Sequence, residues 1–204
     1  RGISMVKDIC ILRGRTIDEQ EKLIIKALIR NPRSSDNQIS KATRVPVRTV
    51  YRKRKKLEEE GIIHYYLNVN LDKSGIGKIN ARHLYIIKFK LGLPYTQFIR
   101  EINEENNVRT VFTEHIYQSF LAEVDGRVAL VMILEGERDE DIVENFNKII
   151  VPSLKKNHGP DSIEDVQTIR LSDPIRFFHN YLPMLNIKNG RIRNDWRDEL
   201  IYIT

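Results

Sequence analysis

Seven side chains within one short stretch have the chemistry to grip a polyanion: Arg44, Arg48, Thr49, Arg52, Lys53, Lys55 and Lys56. Guanidinium forks match the paired acceptors of a guanine edge, and ammonium groups meet phosphates as point charges. Six of the seven fall in Pro46-Val47-Arg48-Thr49-Val50-Tyr51-Arg52-Lys53-Arg54-Lys55-Lys56-Leu57, which reads as one helix over 46–60. Pro46 suits its first position, where no backbone donor is needed, and Gly61 suits a left-handed cap beyond its end. Helical spacing turns Val47, Val50 and Leu57 inward. It leaves Arg48, Thr49, Arg52, Lys53, Lys55 and Lys56 on the outer face or its flanks. Arg54 falls on or beside the inward face, where its stem can cover the core while its head reaches solvent. Taken alone, Lys53–Lys56 also reads as an ordinary solvated face paired with Glu58-Glu59-Glu60, so the elements around the helix decide between the two.

Other candidate chemistry is sparse. The histidines are His64, His83, His115, His158 and His179, and no two stand three or four apart to make a helical metal pair. Gly75-Ile76-Gly77-Lys78 lacks the upstream strand and the hydroxyl residue of a phosphate-binding loop. The acidic stretch from Glu137 to Glu144 opens a helix, where carboxylates are expected on dipole grounds. No catalytic residue, metal site or cofactor is assigned.

The elements that must position the cationic helix precede it. Asp18 opens a first helix, which Thr16 or Asp18 can cap, with Leu23, Ile24, Ala27 and Leu28 as its buried stripe, and Asn31-Pro32 stops it. Ser34-Ser35-Asp36 caps a second, short helix with Ile39 and Ala42 inward. A tight turn at Thr43-Arg44-Val45 leads into the third helix. Ile62, Ile63, Tyr65, Leu67 and Val69 then alternate as strands with a turn, closed by Asp72-Lys73-Ser74-Gly75. Three helices with a tight second turn and a small strand pair make a winged helix-turn-helix, whose last helix lies in the major groove.

From His83 the rhythm changes. A strand over His83–Leu91 precedes a helix over Pro94–Asn106, with Phe98, Ile99 and Ile102 on one face. An extended stretch covers Val108–Val124, Asp125-Gly126 makes a hairpin turn, and a strand returns over Arg127–Leu134. A helix from Asp139 to about Lys155, with Ile142, Val143, Phe146, Ile149 and Ile150 inward, leads to a strand over Ile163–Leu171. The fold class expected is α+β, a winged helix-turn-helix followed by a ferredoxin-like βαββαβ domain. The domains expected are an extension over 1–16, the DNA-binding domain over 17–75, a linker over 76–81, the second domain over 82–171 and a C-terminal extension over 172–204. Phe177, Phe178, Tyr181, Leu182 and Trp196 suggest that this last segment docks.

Composition agrees with this division. With 41% hydrophobic and 30% charged residues the chain can build packed domains. Residues 1–80 carry 18 Lys and Arg against 9 Asp and Glu, whereas residues 81–204 carry 16 against 19. A basic front end joined to a mildly acidic back end points to one polyanion-binding module and one with another task. The single Cys10 excludes a disulfide framework within one chain. No apolar run is long enough for a membrane helix, and Arg1-Gly2-Ile3-Ser4-Met5 lacks the apolar core of a secretion signal, so a cytoplasmic location is the expectation.

Residues 17–75 resemble the N-terminal domain of the leucine-responsive and asparagine regulators, the Lrp/AsnC family. The matching stretches are Ile17-Asp18, Asn31-Pro32-Arg33, Ile39-Ser40, Thr49-Val50 and Leu57-Glu58-Glu59-Glu60-Gly61-Ile62-Ile63. The family usually starts its third helix with serine, where this chain has Pro46. The resemblance implies a sequence-specific transcription regulator that binds double-stranded DNA as a homodimer or an assembly of dimers. Residues 82–171 resemble the family's βαββαβ domain in element order, which implies dimerisation and, in many members, a small-molecule effector. The family lines that site with a glycine and a following aspartate at the central hairpin. Here Gly126 is followed by Arg127-Val128-Ala129-Leu130, so free amino acids are not expected to bind in the family's manner. Some relatives of the fold are sirohaem decarboxylases. His115, expected on a long strand, is the candidate for that alternative, and the retained outer-face cations argue against it.

Overall fold

Asp18 decides where the first helix begins. The computed structural model describes residues 15–72, 75–104 and 111–203. In it the Asp18 carboxylate accepts the Glu21 amide at 2.9 Å, while the Glu21 carboxylate accepts the Asp18 amide at 3.1 Å. This reciprocal cap opens α1 (Glu19–Arg30). Ser35 and Gln38 repeat it at the start of α2 (Asp36–Thr43). α3 (Val47–Glu59) follows Pro46, whose carbonyl takes the amides of Thr49 and Val50, and Gly61 leaves it at φ +67°. Ile24, Leu28, Ile39, Val45 and Val50 form the core of the three helices.

The periodicity misplaces a few side chains here. Leu23, Ala42 and Val47 are exposed. The inward face of α3 is Val50, Lys53 and Leu57, with Val47 left at its edge in the first turn. The strands expected from Ile62 to Val69 are absent as well: residues 63–71 run as irregular backbone, with Tyr66 and Leu67 exposed. A strand needs a partner ladder, and among the described residues none lies alongside this segment. Tyr65 instead turns back on α3, donating to Glu58 at 2.9 Å under the Arg54 guanidinium.

The described residues form two compact units. One takes the chain up to Leu67 and again from Pro174; the other is Asn68–Asp173. The second unit is a four-stranded antiparallel sheet with strands ordered β2-β3-β1-β4, where β1 is Ala81–Phe89, β2 Ile116–Val124, β3 Arg127–Gly136 and β4 Ile163–Leu171. That is the ferredoxin-like order, with each crossover helix leaving room for one strand between its neighbours. α4 (Tyr95–Glu104) links β1 towards α5 (Val111–His115). α5 stands where an extended stretch was expected, because Phe112 packs into the core and packing outweighs the β preference of Val111 and Thr113. The parts of the expected segments at 1–14, 73–74 and 105–110 lie outside the described residues.

α6 (Asp139–Asn145) continues through a wide π turn, Phe146–Ile150, into α7 (Val151–His158). Pro152 accounts for the wide turn, since it lacks the amide that the preceding carbonyls need. Val143 lies exposed rather than inward. Tyr85, Ile87, Phe89, Met132 and Leu134 fill one face of the sheet against Phe98, Ile142, Phe146, Ile150 and Leu154, with Tyr85 stacked on Phe146 at 3.9 Å. The register puts Leu84, Ile86, Phe120, Val131, Ile133 and Ile169 on the opposite face. There Phe120 is 54% exposed and Ile169 46%.

Candidate nucleic-acid interface

The turn between α2 and α3 is built by side chains. Arg44 takes a left-handed conformation (φ +59°), an uncommon one for a residue with Cβ, and its amide closes on Ser40. Ser40 donates to the Val45 carbonyl at 2.7 Å, and Thr43 donates to Ile39 and accepts the Val45 amide. These bonds hold α3 at a fixed angle to α2, as reading a groove requires.

The structure then divides the predicted cations. Arg44, Arg48 and Arg52 are exposed and form no ion pair among the described residues; Thr49 is half-buried. Lys55 and Lys56 are exposed but lie 3.7 and 3.8 Å from Glu59 and Glu60 one turn on. Such exposed pairs are weak, and weaker still with the lysine on the N-terminal side. Lys53 does not belong with them. It is 8% exposed and its ammonium is bound by Asp18, so the phosphate contact expected of it has no support in the geometry. The physical reason is the α1 cap: Asp18 sits over the middle of α3 and draws the lysine inward. Arg54 is half-buried against Ser34, Asp36 and Glu58, which fits its expected place beside the core.

Tyr51 was not among the expected site residues. It is 59% exposed and lies on the outward arc, three residues from Arg48 and four from Lys55. The signal was that spacing, with an aromatic ring among cations. The anchoring network behind α3 was equally illegible. Arg15 holds Glu21 through two bonds of 2.8 and 3.0 Å and reaches Glu60 at 2.6 Å. The arginine holds the buried Glu21 carboxyl below the usual range and the glutamates raise the arginine further; Lys53 holds Asp18 low in the same way.

In the second unit, His115 ends α5 rather than standing on a strand, with its Nδ1 3.4 Å from the Asn145 amide. Buried His83 bonds Asp139 through Nε2 at 2.7 Å, and Arg170 holds the other Asp139 oxygen. Among the described residues no group of three or more His, Cys, Asp or Glu side chains is placed to hold a metal ion. None of their helices is long and apolar enough to cross a membrane. At the β2–β3 hairpin, Asp125 (φ +52°) and Gly126 (φ +71°) make the two-residue turn, and Lys88 lies 3.4 Å from the Asp125 carboxylate.

Comparison with known proteins places these features. Residues 17–64 match the family model for a winged helix-turn-helix DNA-binding domain. An uncharacterized HTH-type transcriptional regulator of Pyrococcus abyssi is 28% identical over 148 residues, covering 69% of this chain and 95% of its own. Among solved structures, Escherichia coli AsnC superposes with a TM-score of 0.58 at 16% identity, over 80% of this chain and 98% of its own. The Neisseria meningitidis transcriptional regulator NMB0573, solved as a complex with L-Met, gives 0.57 at 15% identity, over 79% and 94%.

Proposed function

We propose, starting from a chain that is a DNA-binding transcription regulator of the helix-turn-helix class with the fold of AsnC, that α3 reads base edges in the major groove through Arg48 and Arg52. One observation carries this reading. Arg44, Arg48 and Arg52, at the turn and along the N-terminal half of α3, are free of ion pairs among the described residues, while Lys53, Lys55 and Lys56 each face a carboxylate. The N-terminal residues of such a helix meet the bases. Tyr51 lies between the two arginines, Arg44 and Thr49 flank them, and Lys55 and Lys56 exchange their loose glutamate pairs for phosphates.

The second unit serves as the dimerisation domain. Leu84, Ile86, Phe120, Val131, Ile133 and Ile169 make an apolar patch on this sheet face, beside Gln118, Gln167 and the Arg82–Glu135 pair; it is partly open to solvent, and a second copy of the same face is its natural cover. Two copies place two α3 helices on two half-sites. The NMB0573 complex holds L-Met, but this chain does not take free amino acids at its hairpin. Asp125 is committed to the turn and lies against Lys88, and Arg127 pairs with Glu164, so the turn carboxylate is engaged, and the other carboxylate of the hairpin, Glu123, precedes the glycine and stands exposed to solvent. No catalytic role is assigned to His115.

The test is a mobility-shift titration on duplexes selected from a random pool. Arg48→Ala and Arg52→Ala each weaken the preferred site by about 1–3 kcal/mol and relax the preference at one position. Unchanged affinity and preference in both variants would mean that another face of the domain meets DNA.

A further inference from the structure

The chain from Pro174 onward packs with the three-helix core in one unit. Specific bonds hold it there. Arg30, the last residue of α1, donates through Nε to Asp198 at 2.7 Å and also reaches the carbonyls of Arg193 and Trp196. Tyr181 donates to the Ile29 carbonyl at 3.1 Å, capping one of the acceptors that a helix end leaves open. Within the segment Asn186 is fully buried, accepting the Leu182 amide at 3.0 Å and donating to the Asn180 carbonyl at 2.9 Å. The Arg193 amide closes on Asn186, and Ile192 and Ile201 are buried. On this platform stands a short hairpin, β5 (Ile187–Lys188) and β6 (Arg191–Ile192), turned by Asn189 at φ +53° and Gly190 at φ +72°.

The tip of the hairpin carries a like-charged pair. Lys188 and Arg191 are direct cross-strand partners, both exposed, and neither makes an ion pair among the described residues. Asp195 lends Lys188 some compensating charge but is itself bound by Arg193 through Nε at 3.0 Å. Like charges directly opposite on a ladder are destabilising, and a bridging anion reverses that sign. The location matches such an anion. The hairpin's platform is fastened to Arg30, and Ser35, the cap of α2, follows five residues later, within about 18 Å by chain geometry. α2 is the helix that crosses the DNA backbone in this motif, and its amide-rich start faces phosphates. Exposed Arg33 lies in the loop between.

We propose that the β5–β6 hairpin is a second DNA-contacting element, with Lys188 and Arg191 gripping the sugar–phosphate backbone that flanks the segment read by α3. This rests on the reading of α3 as the groove-entering helix. The grip is on phosphate, so it adds affinity to every duplex and selectivity to none.

The experiment is a salt titration of binding by the full chain and by a Lys188→Gln/Arg191→Gln double variant, on the selected duplex and on sheared genomic DNA. Each lost phosphate contact lowers the slope of log affinity against log salt by about 0.9. The double variant is expected to lose between one and two units of slope and on the order of tenfold in affinity on both DNAs, with base preference unchanged and a melting temperature no lower than that of the parent chain. A duplex trimmed to the base pairs read by α3 should erase the difference. An unchanged slope, alongside loss of binding in Arg48→Ala, overturns the hairpin contact and leaves the α3 reading intact. A full chain that binds no duplex at low salt overturns both. A lowered melting temperature with an unchanged slope would make the two cations structural and also end the proposal.

Discussion

Ion pairing sorts the residues of α3 more finely than charge does. Lys53 and Lys55 are both lysines on one cationic helix, two positions apart, yet one is bound by Asp18 and buried while the other lies open. Nothing local distinguishes them, because the deciding carboxylate comes from another helix. The consequence is measurable in acid. Asp18 is held below the usual carboxylate range chiefly by its bond to Lys53, and Glu21 chiefly by Arg15. A carboxyl with a depressed folded pKa contributes stability that is present above its unfolded value, about 4, and is lost as pH falls through the folded value. The DNA-binding unit is therefore expected to weaken as pH drops below about 4, followed by urea midpoints between pH 7 and pH 3. In Lys53→Met the Asp18 share of that acid loss shrinks to what the Glu21 and Gln20 amides sustain, while the salt slope of DNA binding stays that of the parent chain. An acid loss as steep as the parent's would mean that the Lys53 bond does not hold in solution.

Elements were legible where a local signal sets them. Asp18 and Ser34-Ser35-Asp36 announced two helix starts, which form as reciprocal caps of Asp18 with Glu21 and Ser35 with Gln38, and Asp125-Gly126 announced the hairpin whose positive φ values it now supplies. Elements set by distant packing were not: α5 replaces an expected strand, and the alternation after Ile62 finds no ladder to join. The β2–β3 turn carries a prediction of its own. With Asp125 committed to the turn and facing Lys88, calorimetric titration with each free amino acid should give no saturable heat. Saturable binding that Asp125→Ala abolishes would show that the turn carboxylate also recognises a ligand.

At the scale of the molecule, the expected βαββαβ order is the one that forms, and β4 spans the residues expected of it, Ile163–Leu171. The proposed dimer rests on the sheet face bearing Phe120. Phe120→Asp adds a charge at an already exposed position and should leave the fold standing. By sedimentation velocity at micromolar protein it is expected to run as a monomer where the parent chain runs as a dimer. Its affinity for a two-half-site duplex should fall by at least tenfold, as the two binding events lose their linkage. A variant that still sediments as a dimer would move the interface off this face.

The bond from Arg30 to Asp198 spans 168 positions, and the whole sheet unit lies between its two ends. During synthesis α1 emerges early, but the partner for its last turn is made only after the sheet unit. At about 5–20 residues per second the helices wait on the order of ten seconds for the segment that clasps them. Until Asp198 has been made, the nascent helix-turn-helix is unclasped. The DNA-binding unit, begun before the sheet unit, is finished only after it.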